Sequence, residues 1–302
     1  MADGAGATNT VDFTWVAAPA KLVPYVNSFY ILHSGQEKVA DMMPAFSGQL
    51  VLTLQGGGQM RFAKGGWATT TSAFLLCPLM QAHEFELEPR TVMLGVSLNF
   101  RGWAAFTGFP VDEYNDRRVT VSEGLTEDIA GKIHALREKA ATGDIGEREA
   151  LDVLATIIEH GISPLSERHL QVIDTTLEWI SSSFKPAIPD LLDKLPYSER
   201  QVQRLVARFY GQSPVRLIRR FRAIRAATLL AMPDLSPRVE AEIRTAFYDQ
   251  AHMIKEIRHF TGRTSRRLRP HVDSMIKKTL GEPGYGSVDL FGGNQDKELG
   301  KG

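Results

Sequence analysis

The chain has almost no cysteine and no excess charge of either sign: of 302 residues only Cys77 is cysteine, and 35 Lys and Arg balance 35 Asp and Glu. One cysteine excludes an internal disulfide. Within "AFLLCPLM" it reads as a small buried hydrophobe in a strand. No apolar run reaches the roughly 18 residues of a membrane span. The opening "MADGAGATNT" lacks both the basic and the apolar parts of a signal peptide, so a cytoplasmic protein is expected. Histidine is sparse in the first third, where His33 and His83 stand without a His-x-His pair, too few for a barrel-type metal centre even with Glu84 and Glu86 beside His83. No nucleophile elbow or triad surrounds Ser72 or Ser97. The "QGGGQ" stretch at 55 to 59 has neither dinucleotide-binding spacing nor a following Lys-Ser/Thr. Neither enzyme activity nor a metal or cofactor is expected.

What is present is an ordinary globular composition, 43% hydrophobic and 23% charged, on a chain long enough for two cores. Between Phe13 and about Thr120, short alternating or apolar runs such as "YVNSFYIL", "GQLVLTLQ" and "TVMLGVSLNF" are punctuated by Gly and Pro. They predict an all-β unit, a small sandwich or barrel, with hairpin turns at "QGGGQ" and at "KGG" (64 to 66). From about Thr126 the apolar period becomes 3.6 in "EDIAGKIHALREKA" and "EREALDVLATIIEH", two amphipathic helices that would either brace the β unit or supply a dimer surface. The aromatic residues Trp15, Phe29, Tyr30, Trp67, Phe85, Trp103 and Phe106 would pack the core or line an effector cavity, with Trp67 set just after a turn. The expected layout is an α+β chain: a disordered tail at 1–10, a β-rich unit at 11–120, a helical segment at 121–165, a helical domain at 166–280 and a second disordered tail at 281–302.

The zero net charge hides an asymmetry. Residues 166–280 carry 21 Lys and Arg against 12 Asp and Glu. Eight arginines fall between Arg200 and Arg225 with no acid among them, as expected of a surface that meets a polyanion. In "SERQVQRLVARF" (198 to 209), Val202, Leu205, Val206 and Phe209 make one apolar stripe. Arg200, Gln203, Arg204 and Arg208 occupy the other face, and Ser198 is placed as N-cap. Stacked like charges repel by a few tenths of a kcal/mol per pair, so the row implies a partner. Upstream, "AIPDLLDKLPY" supplies a short helix with Leu191, Leu192 and Leu195 and a turn at Pro196, which completes a helix-turn-helix pattern. Arg pairs with guanine edges and Gln with adenine, so one helix face could read a major groove. Downstream, Gly211 reads as a stop and Ser213-Pro214 as a start. A long helix ended by Pro233 follows, with Leu217, Phe221, Ile224 and Thr228 inward and its arginines outward. Docking of the arginine face on an acidic protein or on RNA is the alternative.

The order "SERQVQRLVARFYGQSPVRLIRRFRAIRAATLL" followed by "AFYDQAHMIKEIRHFTGRT" resembles the AraC/XylS family of bacterial transcription regulators over roughly 170 to 270. The N-terminal part is more loosely similar to the β-rich, cupin-like sensor domains of such regulators. The resemblance implies a DNA-binding domain with two helix-turn-helix units joined by a long helix. In it, Ser198, Glu199, Arg200, Gln203, Arg204 and Arg208 serve the first unit. Asp249 caps a second reading helix from Gln250 to Phe260, with Gln250, Ala251, His252 and Lys255 near the DNA. It implies double-stranded DNA as partner, a small-molecule effector, a homodimer and, for an activator, contact with RNA polymerase. Arg266, Arg267 and Arg269 would clamp phosphate or form a solvated end rather than read bases. Four positions depart from the family pattern. Ala246 stands where Gly is usual, and at a positive φ it would cost about 1 kcal/mol. Ala241-Glu242 replaces Ile-Ala, putting a carboxylate near the groove. Met253 and Ile257 replace aromatics, and Ser265 replaces Pro.

Overall fold

The computed structural model describes residues 11–231 and 236–263. The expected terminal tails, Pro233, Ser265 and the Arg266–Arg269 cluster lie outside them.

The N-terminal part is an antiparallel sandwich. Its larger sheet joins β1 (Val11–Val16), β2 (Val26–Ser34), β9 (Val92–Leu98), β4 (Gln49–Gln55), β7 (Ala73–Leu76) and β10 (Arg118–Thr120), in that order. The smaller joins β3 (Val39–Met43), β8 (His83–Leu87), β5 (Gly58–Phe62) and β6 (Gly66–Thr69). Side chains alternate across a strand, and here the alternation feeds two cores. Tyr30, Leu32, Val51, Phe74 and Leu76 point between the sheets, toward Phe62, Phe85 and Leu87. Their neighbours Phe29, Ile31, Leu50, Leu52 and Leu75 join the core under α3 (Glu127–Thr142) and α4 (Glu147–Gly161), with Ile133, Leu154 and Ile158. A sheet covered on both faces explains the continuous apolar run "LVL" in β4. The helical pair braces the sheet.

Three details depart from the sequence reading. The "QGGGQ" stretch is no hairpin turn, because β4 and β5 belong to different sheets. The chain crosses between layers there, with Gly56 at φ +64° and a Cβ position only 2.6 Å from Thr91 Oγ1. The "KGG" turn does join paired strands, β5 and β6. Cys77 lies one residue past β7 rather than in a strand, and burial pushes its thiol up to about 12. An unexpected helix, α1 (Phe100–Thr107), interrupts the β region; Asn99 caps it through the Gly102 N–H, and Trp103 is buried. The short α2 (Val121–Gly124) follows β10 directly.

Beyond α4 the chain is helical: α5 (Glu167–Ser181), α6 (Ile188–Leu192), α7 (Glu199–Tyr210), α8 (Pro214–Leu230), α9 (Pro237–Ala246) and α10 (Gln250–Thr261). Their core includes Val172, Trp179, Val206, Leu217, Phe221 and Ile257, and it takes in Ala45, Phe46 and Phe100 from the N-terminal part. The two halves therefore share apolar packing.

Candidate nucleic-acid interface

The first helix-turn-helix consists of α6 and α7. Pro189 fits the first turn of α6, where its missing N–H costs nothing. Ser198 is the N-cap of α7, and Gln201 Oε1 reaches back to accept the Ser198 N–H at 3.1 Å. Val202, Val206 and Phe209 are buried, while Arg200, Gln203, Arg204 and Arg208 are all exposed on the opposite side. Gln203 Nε2 donates to Glu199 Oε1 at 3.1 Å, an i,i+4 bond that holds the amide on the exposed face. The helix stops at Gly211, which takes the left-handed conformation at φ +79°.

The second unit, α9 and α10, is built differently. Asp249 caps α10, accepting the His252 N–H at 2.7 Å. Gln250, Ala251 and Lys255 are exposed. His252 is half-buried, with its Nε2 3.2 Å from Glu256 Oε1. Glu256, 1% exposed, also accepts from Arg219 Nε at 2.6 Å and from Arg222 Nη2 at 2.5 Å. The charge of a buried carboxylate must be met locally, and here two guanidinium groups of α8 meet it. Met253 and Ile257 fill core positions without aromatics, as expected of volume-matched apolar residues. Ala246 is the last residue of α9 and has no positive φ, so the anticipated strain is absent. Glu242 lies near Arg238 one helical turn away, at 3.4 Å.

The expectation that the arginines of α8 face outward holds for Arg216 and Arg219, which are exposed, and fails for the other three. Arg220, Arg222 and Arg225 are 1%, 8% and 3% exposed. From Arg220 onward helix α8 is buried, and its guanidinium groups satisfy carbonyl oxygens: Arg222 donates to Ala246 O at 3.1 Å and Arg225 to Ser181 O at 3.1 Å. Part of the basic excess is therefore structural. The sequence signal was available, since the second half of α8 carries apolar residues at Ala223, Ile224, Ala226 and Ala227, which leaves no solvent face there.

Both reading helices end against the N-terminal sandwich. Arg208 O, in the last turn of α7, accepts the Val111 N–H at 2.7 Å. Phe260 O and His259 O, in the last turn of α10, accept from Ala45 N at 2.7 Å and Ala82 N at 3.0 Å. Each terminal glycine closes the contact: a Cβ on Gly211 would sit 2.5 Å from Met80 Sδ, and one on Gly262 2.7 Å from Met42 Cβ. Asp41 pairs with Arg263, and Arg101 holds Asp174 of α5 at 2.6 Å. Burial and Arg219 lower the pKa of His259 below the usual histidine value.

Between the two sheets lies a small cavity of about 80 Å³ that opens to solvent. Of the aromatics singled out in the sequence, Trp15, Tyr30 and Phe85 line it. Phe29, Trp103 and Phe106 lie in the other core, and Trp67 is 43% exposed on β6. His83 is buried, with Nε2 2.8 Å from Asp116 Oδ1.

Residues 191–271 match the family described as a helix-turn-helix domain, a span that runs from the end of α6 through α10. Those residues are an AraC-type helix-turn-helix domain. Among solved structures it is similar to ToxT from Vibrio cholerae O395, at 9% identity over 85% of this chain and 96% of that one, with a TM-score of 0.44. It is also similar to the AraC-like transcriptional activator CuxR, at 12% identity over 69% and 79%, TM-score 0.32. A cupin superfamily protein from Desulfitobacterium hafniense DCB-2 aligns at 16% identity over 30% and 78%, TM-score 0.24. No curated protein sequence matches the chain.

Proposed function

We propose that this AraC-type chain binds specific duplex DNA sites through both helix-turn-helix units, under the control of a small molecule held between the sheets of the N-terminal domain. The observation that carries the reading is the disposition of α7 and α10. Their C-terminal ends are bonded to the sandwich, while Arg200, Gln203, Arg204, Gln250 and Ala251 stand exposed toward the other ends. Recognition helices contact base edges with their N-terminal residues, and Arg and Gln are the residue types that pair with guanine and adenine, while Ala meets the thymine methyl. Exposed Arg208 and Lys255 suit phosphate contacts. A cavity lined almost entirely by apolar side chains lies between the sheets, and small-molecule sites are concave and mostly apolar, which supports effector control. ToxT is described with an unsaturated fatty acid bound.

The test is to retain fragmented genomic DNA on the purified chain and sequence it. The expected result is a motif of two blocks about 10 bp apart, one per unit. A single short block would show that the second unit positions the protein without reading bases. Salt-sensitive retention with no enriched motif would overturn sequence-specific regulation in favour of docking on polyanions or acidic proteins.

A further inference from the structure

We infer that Asp116, in the N-terminal part, is a positioning residue for DNA reading. Its carboxylate holds the segment 77–82, against which the ends of α7 and α10 rest, and so fixes the separation of the two reading helices. The inference rests on the two-unit reading proposed above and adds to it the residue that sets the spacing of the units.

Segment 77–82 meets both readers within three residues. A Cβ on Gly211, at the end of α7, would sit 2.5 Å from Met80 Sδ. Ala82 donates its N–H to His259 O, in the last turn of α10, at 3.0 Å. Helix α8 reaches the same place, with Arg220 Nη1 3.5 Å from Met80 Sδ. The segment is neither helix nor strand, so no ladder fixes its shape and its polar groups must be met by others. On one side Leu79 exchanges two backbone hydrogen bonds with Phe46, at 2.9 and 3.2 Å. On the other, Cys77 N–H donates to Arg117 O at 3.0 Å and Asp116 N–H to Pro78 O at 3.1 Å.

The Asp116 side chain completes that second side. Its Oδ1 accepts the Met80 N–H at 2.8 Å and lies 2.8 Å from His83 Nε2. His83 is 3% exposed, and its Nδ1 is 3.0 Å from Arg61 O. One oxygen thus ties residue 80 to the start of β8 across the bend that carries Ala82. The backbone of Asp116 is left-handed, at φ +46°, a conformation that Asp tolerates because its short polar side chain bonds locally. Strained backbone of this kind persists where surrounding contacts over-determine it. The loop that holds Asp116 also holds Val111, whose N–H is bonded to Arg208 O of α7. Removing the carboxylate takes the acceptor from the Met80 N–H and from the His83 ring, and leaves the supports of both readers free to shift.

The experiment uses the full chain and the two-block DNA motif that it enriches, rebuilt with the blocks moved apart or together by one and two base pairs. Affinity is measured at each spacing. Two linked units lose their joint advantage when geometry forbids both to engage, so wild-type affinity should fall about 100-fold at a wrong spacing. Asp116→Gly accepts the left-handed backbone and deletes only the carboxylate; its penalty for a wrong spacing should shrink to a few-fold. Asp116→Asn keeps both the acceptor oxygen and the backbone preference and should restore the wild-type profile. Met80→Ala, which removes the support of α7 directly, should flatten the profile as Asp116→Gly does, and it decides the matter if Asp116→Gly fails to fold. Thr91→Ala, whose lost hydroxyl is bonded to the Gly57 backbone, controls for stability: it should lower the unfolding midpoint and keep the steep profile. A steep profile in Asp116→Gly, or in Met80→Ala, overturns the role of Asp116, as does a flat one in Thr91→Ala. A flat profile in the wild-type chain overturns it too and leaves the two-unit reading standing, whereas a wild-type motif of one block removes that reading and the inference with it.

Discussion

The two helix-turn-helix units share a topology and divide their side chains differently. In α7 the polar face is given over to solvent: Arg200, Gln203, Arg204 and Arg208 are exposed, and the inner face is purely apolar. In α10 one polar residue is diverted inward, where Glu256 binds Arg219 and Arg222 of α8 and draws His252 toward it. The first unit thus holds its reader by apolar packing, while the second holds it by a buried ionic cluster. Buried charge clusters fix geometry at the risk of heavy loss when one member is removed. The second reader should be the more rigidly aimed and the less tolerant of change.

The largest effect is expected where that contrast is sharpest. Glu256→Ala leaves two guanidinium groups facing a vacated site and should cost about 3–5 kcal/mol, seen as a fall in the thermal unfolding midpoint. An unchanged midpoint would abolish the distinction between the units. Next, Arg204→Ala should cost roughly 1–3 kcal/mol of specific DNA affinity and relax preference at one base pair. His252→Ala should leave base preference untouched; altered preference in a binding-site selection would return His252 to the groove. Removing the caps, Ser198→Ala in one unit and Asp249→Ala in the other, should each cost about 0.5–2 kcal/mol by chemical denaturation. Arg208→Ala should weaken all sequences alike and reduce the salt slope of binding by about one unit, read from affinities at several ionic strengths.

The smallest expected effect concerns pH. The pKa of His259 is lowered in the folded state, so folding favours its neutral form. Its contribution to stability is present above the unfolded value, about 6.5, and is lost as pH falls below it. Arg219, Asp116 and Glu256 all act on this ring. Comparing unfolding midpoints at pH 7.5 and 5.5 (chosen to bracket about 6.5), His259→Gln should reduce the acid-induced drop; an equal drop in both proteins would remove His259 as its source.

The sequence was most legible where local chemistry acts alone. The limits of α7, the start of α8 and the cap of α10 follow from Ser198, Gly211, Ser213-Pro214 and Asp249, whose roles depend on their own backbone neighbours. Long-range pairing was not legible. The crossing at Gly56 looks like a hairpin in sequence because glycines make both, and which sheet β5 joins is decided by β8, far along the chain. The arginines of α8 misled for a related reason. A charge every third or fourth residue signals a solvent face only while the rest of the helix has one apolar stripe, and α8 is enclosed from Arg220 onward, with Ala246 O, Ser181 O and Glu256 as local acceptors. The position of His252 was hidden because its partner, Glu256, looks like an ordinary surface acid one turn later.

The fastening of both reading helices to the sandwich bears on how the protein is divided for study. Two glycines, Gly211 and Gly262, and three backbone hydrogen bonds mount α7 and α10 on a common plate. An isolated C-terminal fragment loses that plate, and the separation and tilt of its two readers then depend on α8 alone. Such a fragment is a caliper with its locking screw removed: it can open to operators of several spacings, whereas the whole chain is set to one.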